Sequence, residues 1–218
     1  MSKILALETA TAACSVALLS NDSVLERFKI VPREHAQLIL PMLKSLLAEA
    51  EFTLSKLDAI AFGRGPGSFT GVRIAVAITQ GLAFGADLPV VPISSLRALA
   101  QGTSANKILA AFDARMHEIY WGIYQLDKNN LMQPVIEDSL ATPDKVQLPE
   151  NDNWTGVGDG WQAYENILKQ ILGKKLSAIN AGIYPRARDV AKLGAADYLR
   201  NKAVSADKAL PIYLRSVL

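Results

Sequence analysis

The segment Gly63–Gly71, GRGPGSFTG, is the stretch whose residue types best suit ligand binding. Four glycines and a proline stand between an apolar run, Leu57–Phe62, and a helix that Ser68 or Thr70 can cap. Glycine lets a backbone approach a ligand closely, and free amides at a helix N-terminus attract anions such as phosphate. The same composition also makes a tight strand-to-helix turn with no ligand, and the sequence leaves both readings open. The segment lacks the Lys-Ser/Thr pair of a Walker loop. Ser68 fails as a nucleophile because a G-x-S-x-G elbow needs glycine where Thr70 stands. It reads better as a helix cap.

Two acids, Glu8 and Asp113, each follow a strand just before a turn. In an ATP-binding cleft such acids orient Mg²⁺ or water. A turn acid that binds its own backbone amides explains them equally, and for Glu8 it is the preferred reading. The only histidines are His35 and His117, and the only cysteine is Cys14. An H-x-x-x-H pair would need a histidine where Ile39 stands. Without carboxylates these residues do not complete a tetrahedral zinc site, so no bound metal is expected. His35 is expected on a helix surface or at an interface. Tyr120, Trp121 and Tyr124 could stack on a base, but in an alternating strand they read as sheet-packing residues.

Lys+Arg is 23 and Asp+Glu is 21, a net charge of +2. Such a balance gives no strong general attraction to nucleic acid or to an anionic membrane. Lys174, Lys175, Arg186, Arg188 and Lys192 are the one basic grouping of the C-terminal lobe. Half of the residues are hydrophobic, enough for a real core. A single cysteine fits a reducing, cytoplasmic setting. The first apolar run, up to Leu7, is too short for a signal peptide, and no membrane span is expected.

The elements that must position these residues follow from periodicity. Strands are expected over Lys3–Leu7, Cys14–Ser20 and Val24–Ile30, with a turn at Asn21-Asp22. Arg33–Ala50 is helical, with Ile39, Leu43, Leu46, Leu47 and Ala50 on one stripe and Leu38 and Met42 off it. Pro41 should kink this helix or mark its start. A small-residue helix, Thr70–Phe84, carries the stripe Ile74, Ile78 and Leu82. A strand at Val90–Ile93 and a helix capped by Ser94 or Ser95 close this part. The strand–acid–turn–strand pattern then restarts over Lys107–Leu126, which hints at two related lobes. Residues 127–152 resist assignment. Trp154–Gly160 reads as a strand end and turn. Helices follow at Tyr164–Leu172 and Ala187–Asn201, then an extended Pro211–Leu214.

GRGPGSFTGVRIA, Gly63 to Ala75, resembles the signature of the bacterial TsaB family, also called YeaZ. ILALETATAACSVALL, REHAQLILPML, PVVPISSLRALA, FDARMHEIYWGIY and PIYLR are similar to further segments of that family, so the likeness spans nearly the whole chain. The resemblance implies an α/β, two-lobed actin-like/Hsp70/sugar-kinase (ASKHA) fold, with an N-terminal lobe over 1–104 and a C-terminal lobe over 105–218. It implies a non-catalytic subunit that pairs with TsaD, joined by TsaE, to form N6-threonylcarbamoyladenosine at position 37 of ANN-decoding tRNAs. It also implies a homodimer when alone, and tRNA met only through the complex. TsaD proteins carry a metal-binding H-x-x-x-H; here Ser95 and Leu99 stand in those two places, so no metal is expected. The implied partner and dimer surface is formed by the two N-lobe helices, with Leu38, Met42, Ile74, Ile78 and Leu82 as its candidates. No tightly bound cofactor is implied. ATP or ADP at the boundary with TsaD is, with Gly65, Gly67 and Ser68 as candidate contacts. The competing reading is an autonomous actin-like ATPase or an M22-type peptidase.

Overall fold

A computed structural model describes residues 2–21 and 23–215. The chain forms two compact units, Met1–Ala98 with Pro185–Ile212, and Leu99–Tyr184 with Tyr213–Leu218.

In the first unit β1 (Ile4–Glu8), β2 (Ala13–Ser20) and β3 (Ser23–Ile30) make an antiparallel meander. Asp22 of the expected turn lies outside the described residues. β4 (Ala59–Gly63) and β5 (Val90–Ile93) join in parallel on the other side of β1, giving the order β3-β2-β1-β4-β5. α1 (His35–Glu49) and α2 (Phe69–Ala86) cover one face. Strand alternation sends Leu5, Leu7, Ile60 and Phe62 into the same core as Ile39, Leu46 and Val72. The opposite face carries the last helix, α5 (Ala187–Leu199), packed on β1, β2 and β4. Every residue of β1 and β4 is therefore buried, as a strand covered on both faces must be. α3 (Ser95–Gln101) follows β5.

The second unit repeats the plan. β6 (Lys107–Arg115), β7 (Glu118–Leu126) and β8 (Met132–Pro134) are antiparallel, and β9 (Ser139–Ala141) also pairs with β7. β10 (Trp154–Val157) and β11 (Leu176–Asn180) extend β6 in parallel, in the order β11-β10-β6-β7-β8. α4 (Asp159–Leu172) connects these last two strands. Trp121, Trp154 and Trp161 fill the core, each indole N–H donating to a backbone carbonyl, of Gln147, Asn151 and Leu109 respectively.

Several expectations are corrected. The division at residue 104 is displaced because α5, expected in the second lobe, packs on the first sheet. For the same reason Arg186, Arg188 and Lys192 belong to the first unit and Lys174 and Lys175 to the second. Pro41 lies inside α1, which starts at His35 because Arg33 has φ 72°. Both Pro41 and Gln37, whose carbonyl loses its partner, are exposed, so water can meet the carbonyl. α4 begins at Asp159, five residues before the expected start, and non-helical dihedrals interrupt it at Tyr164. By length and composition alone α2 is apolar enough to cross a membrane, although its 18 residues include Arg73 and Gln80. Its isoleucine, valine, leucine, phenylalanine and alanine residues give it that hydropathy, and its buried side is packed on the first core.

α5 approaches β4 so closely that a Cβ on Gly194 would lie 2.5 Å from that of Ala61. Gly194→Leu should lower stability by about 3 kcal/mol or more through overpacking, read as a fall in the urea midpoint.

Candidate functional site

Glu8 is the last residue of β1, and its side chain has no exposed surface. One carboxylate oxygen accepts from the Ala10 amide at 2.6 Å, and the other from the Ser95 hydroxyl at 2.8 Å. Burial pushes its pKa above the ordinary carboxylate value, and these hydrogen bonds oppose the shift. Its own backbone amides bind it, as a turn acid requires, yet it sits in the interior rather than in an exposed turn.

The glycine-rich segment closes over this acid. A side chain on Gly63 would place its Cβ 2.0 Å from a Glu8 oxygen, and one on Gly67 would come within 2.4 Å of the Ala10 carbonyl. The Ser68 amide donates to that carbonyl at 2.7 Å, and the Thr9 hydroxyl donates to the Gly71 carbonyl at 2.7 Å. The Ser95 amide donates to the Gly65 carbonyl at 2.9 Å. Ser68 caps α2 by accepting from the Gly71 amide at 3.4 Å. Gly65 has φ 94°. Of the two readings left open by the sequence, close packing against residues 8–10 accounts for Gly63 and Gly67 directly.

The remaining candidates have partners of their own. Cys14 is buried, and its thiol is pushed up to about 11 by burial and by the charge of Glu8, which makes it a poor nucleophile at neutral pH. His35 is buried rather than on the surface, with Nε2 3.2 Å from the Ala13 carbonyl oxygen. In the second unit the Asp113 amide donates to Asp159 at 3.0 Å, while the Asp113 carboxylate accepts from the Arg115 amide at 2.8 Å and pairs with its guanidinium. Burial, then the Asp113 charge, raises the Asp159 pKa against the opposing hydrogen bond. Trp121 and Tyr124 are buried in the sheet, and the Tyr124 hydroxyl bonds Asp138. Arg186 pairs with Glu26 at 2.5 Å and lies over the Phe28 ring.

The helix candidates divide differently from the sequence stripes. Leu38, Met42, Ile74, Ile78 and Leu82 are half-buried and pack on the first core. The outward row of α2 is Arg73, Ala77, Gly81, Phe84 and Gly85. Nothing lies within 4 Å of a Cβ built at Gly81 or Gly85. Phe84 is 65% exposed, and Leu40 on α1 is 47% exposed. The sequence signal for this row was the spacing Ala77-Gly81-Gly85, one small residue every four.

Two mixed sheets of one strand order, each with helices, make this a duplicated α/β protein. The family model described as "TsaD: tRNA N6-adenosine threonylcarbamoyltransferase" matches residues 24–217. The chain is 41% identical to the tRNA threonylcarbamoyladenosine biosynthesis protein TsaB of Escherichia coli, over 98% of this chain and 95% of that protein. It is 32% identical to the TsaB of Bacillus subtilis, over 97% and 93%. The solved structure of YeaZ from Pseudomonas aeruginosa matches with a TM-score of 0.92 at 44% identity, covering 98% of this chain and all of that one. The chain belongs to the TsaB (YeaZ) family of tRNA threonylcarbamoyladenosine biosynthesis proteins.

Because the folded-state pKa of Glu8 lies above its unfolded value, folding binds a proton there. Its contribution to stability is therefore fully present below pH 4.5, the ordinary value, and is lost as pH rises through the folded pKa. Glu8→Gln should remove this component, flattening urea midpoints measured from pH 4.5 to 8. A variant with the same pH slope as the unaltered protein would show that Glu8 is not the group responsible.

Proposed function

We propose that this chain is the non-catalytic subunit that pairs with TsaD, and with TsaE, for N6-threonylcarbamoyladenosine formation at position 37 of ANN-decoding tRNAs. The observation that carries the reading is the uncovered row of small residues on α2, with Phe84 and Leu40 exposed. Small side chains let another helix backbone approach closely, which enlarges contact area. The same face would serve a homodimer when the chain is alone, so homodimer and TsaD pairing compete.

The groups with chemical potential are engaged elsewhere. Ser95 holds Glu8, and Leu99 is fully buried; they stand where a TsaD-type protein has its metal histidines. The Ser68 amide is spent on Ala10. These commitments support a subunit without its own catalytic centre, metal or tightly bound cofactor. ATP or ADP is then a ligand of the complex, meeting Gly65, Gly67 and Ser68 at the boundary with TsaD. tRNA is met through the complex, and the setting is cytoplasmic.

The test is reconstituted threonylcarbamoylation of tRNA with TsaD, TsaE and the adenylate-forming enzyme, with and without this chain. Product that depends on the chain, with no ATPase or peptidase activity from it alone, is expected. Equal product without it would remove the role. Gly81→Glu, placing a charge on the outward row, should shift the homodimer toward monomer and reduce TsaD pairing by at least about tenfold. Sedimentation and a TsaD titration would read both effects.

A further inference from the structure

Helix α5, with its N-cap and the turn after it, carries Arg186, Arg188, Lys192, Arg200 and Lys202 against two acids, Asp189 and Asp197. This local excess of cations is larger than the net charge of the whole chain, +2. The acids lie inside and the cations outside. The side chains of Asp189 and Asp197 are 3% and 6% exposed, and Glu26, which pairs with Arg186, is 10% exposed. Arg188 and Lys202 are 42% and 56% exposed, and Lys192 is exposed beside them.

The buried acids do not require so many cations. Buried Arg97 donates to one oxygen of Asp197 at 2.7 Å and offsets its charge. Arg200 and Lys202 add two more cations at 3.7 and 3.5 Å from the other oxygen, and Arg188 is 3.6 Å from Asp189. Partly exposed pairs of this length add little to stability. The helix dipole favours cations at the C-terminal end, yet Arg186 and Arg188 stand at the N-terminal end, where it disfavours them. From Arg188 to Arg200 the row runs about 18 Å at 1.5 Å per residue. Between its ends Ala195 and Ala196 add little bulk, so a chain of charges can lie close to the helix.

We propose that the outer face of α5 holds the phosphate backbone of tRNA while the assembled complex acts on that RNA. Phosphate contacts need cations in a line and no pocket. An acidic protein fits less well, because a protein interface centres on an apolar cluster and Leu199 is the one large apolar side chain exposed on α5. A row this short binds weakly alone, in keeping with tRNA met through the complex.

The inference rests on the proposed role, and the experiment separates the two. Lys192→Gln/Lys202→Gln removes two exposed charges from the face. Lys128→Gln/Lys174→Gln removes the same charge from exposed positions of the second unit. Each is assembled with TsaD and TsaE, and tRNA is titrated over a range of salt concentrations. The first pair should lower tRNA affinity at physiological salt about tenfold and reduce the slope of log affinity against log salt by about 1.5. It should leave assembly with TsaD and TsaE unchanged in sedimentation. The second pair should bind tRNA as the unaltered chain does. An unchanged slope in the first pair overturns the proposal, as does an equal loss in both pairs. A loss of TsaD or TsaE binding with tRNA affinity unaltered assigns the face to a protein and also overturns it. If the unaltered chain does not join TsaD and TsaE, the proposed role falls. The same titration with the chain alone at low salt then decides the face, by whether the first pair lowers the slope.

Discussion

A carboxylate with no exposed surface must be met by donors from the protein, since water cannot supply them. Glu8 places that demand at the end of the central strand of the first sheet. Two of its donors come from segments far apart in the chain, the turn at Ala10 and the start of α3 at Ser95. The third neighbour, β4, has to end in glycine because any side chain at 63 would occupy the carboxylate's place. From there the glycine-rich segment crosses residues 9–10 and enters α2 at Ser68, so the start of α2 is fixed by the same cluster. Charge burial opposes folding at neutral pH, and the hydrogen bonds around Glu8 offset it.

This cluster explains how a loop with the composition of a ligand cradle can belong to a protein whose proposed work is assembly. Its backbone groups are directed at the chain's own first turn. What remains uncovered is on the helices: a row of alanine and glycine on α2, and exposed Leu40 and Phe84. The inward rows of α1 and α2 are spent on the sheet, with Ile39, Leu46, Val72 and Ala75 buried. Each helix therefore has one face for the core and one for the surroundings, which is the division a subunit needs.

Much of the fold was legible because its signal is local. The three-strand opening, both core helices, β5 and β7 follow from alternation or from helical spacing. The short strands β8, β9 and β11, of three to five residues, carry too few alternations to be recognised. The destination of α5 was hidden, since its apolar face reads alike whichever sheet it covers; only its contact with Ala61 reveals that Gly194 suits the first. Ser68 as a cap was readable within a few residues, and for Asp113 the turn acid was one of two readings that the local sequence left open. The bond between Ser95 and Glu8 spans 87 positions and leaves no local trace. His35 misled because a histidine early in an amphipathic helix looks like a surface residue, whereas the Ala13 carbonyl gives it a partner inside. The stripe Ile74-Ile78-Leu82 lies half-buried at the margin of the core, and the exposed small residues stand beside it.

Hydrogen exchange of the chain alone, with ATP, and with TsaD would test the central claim most directly. The account predicts that TsaD slows exchange in α1 and α2, while ATP alone leaves residues 8–13 and 63–71 unchanged. Slowed exchange at those loop residues with ATP alone, and no change in the helices with TsaD, would contradict it.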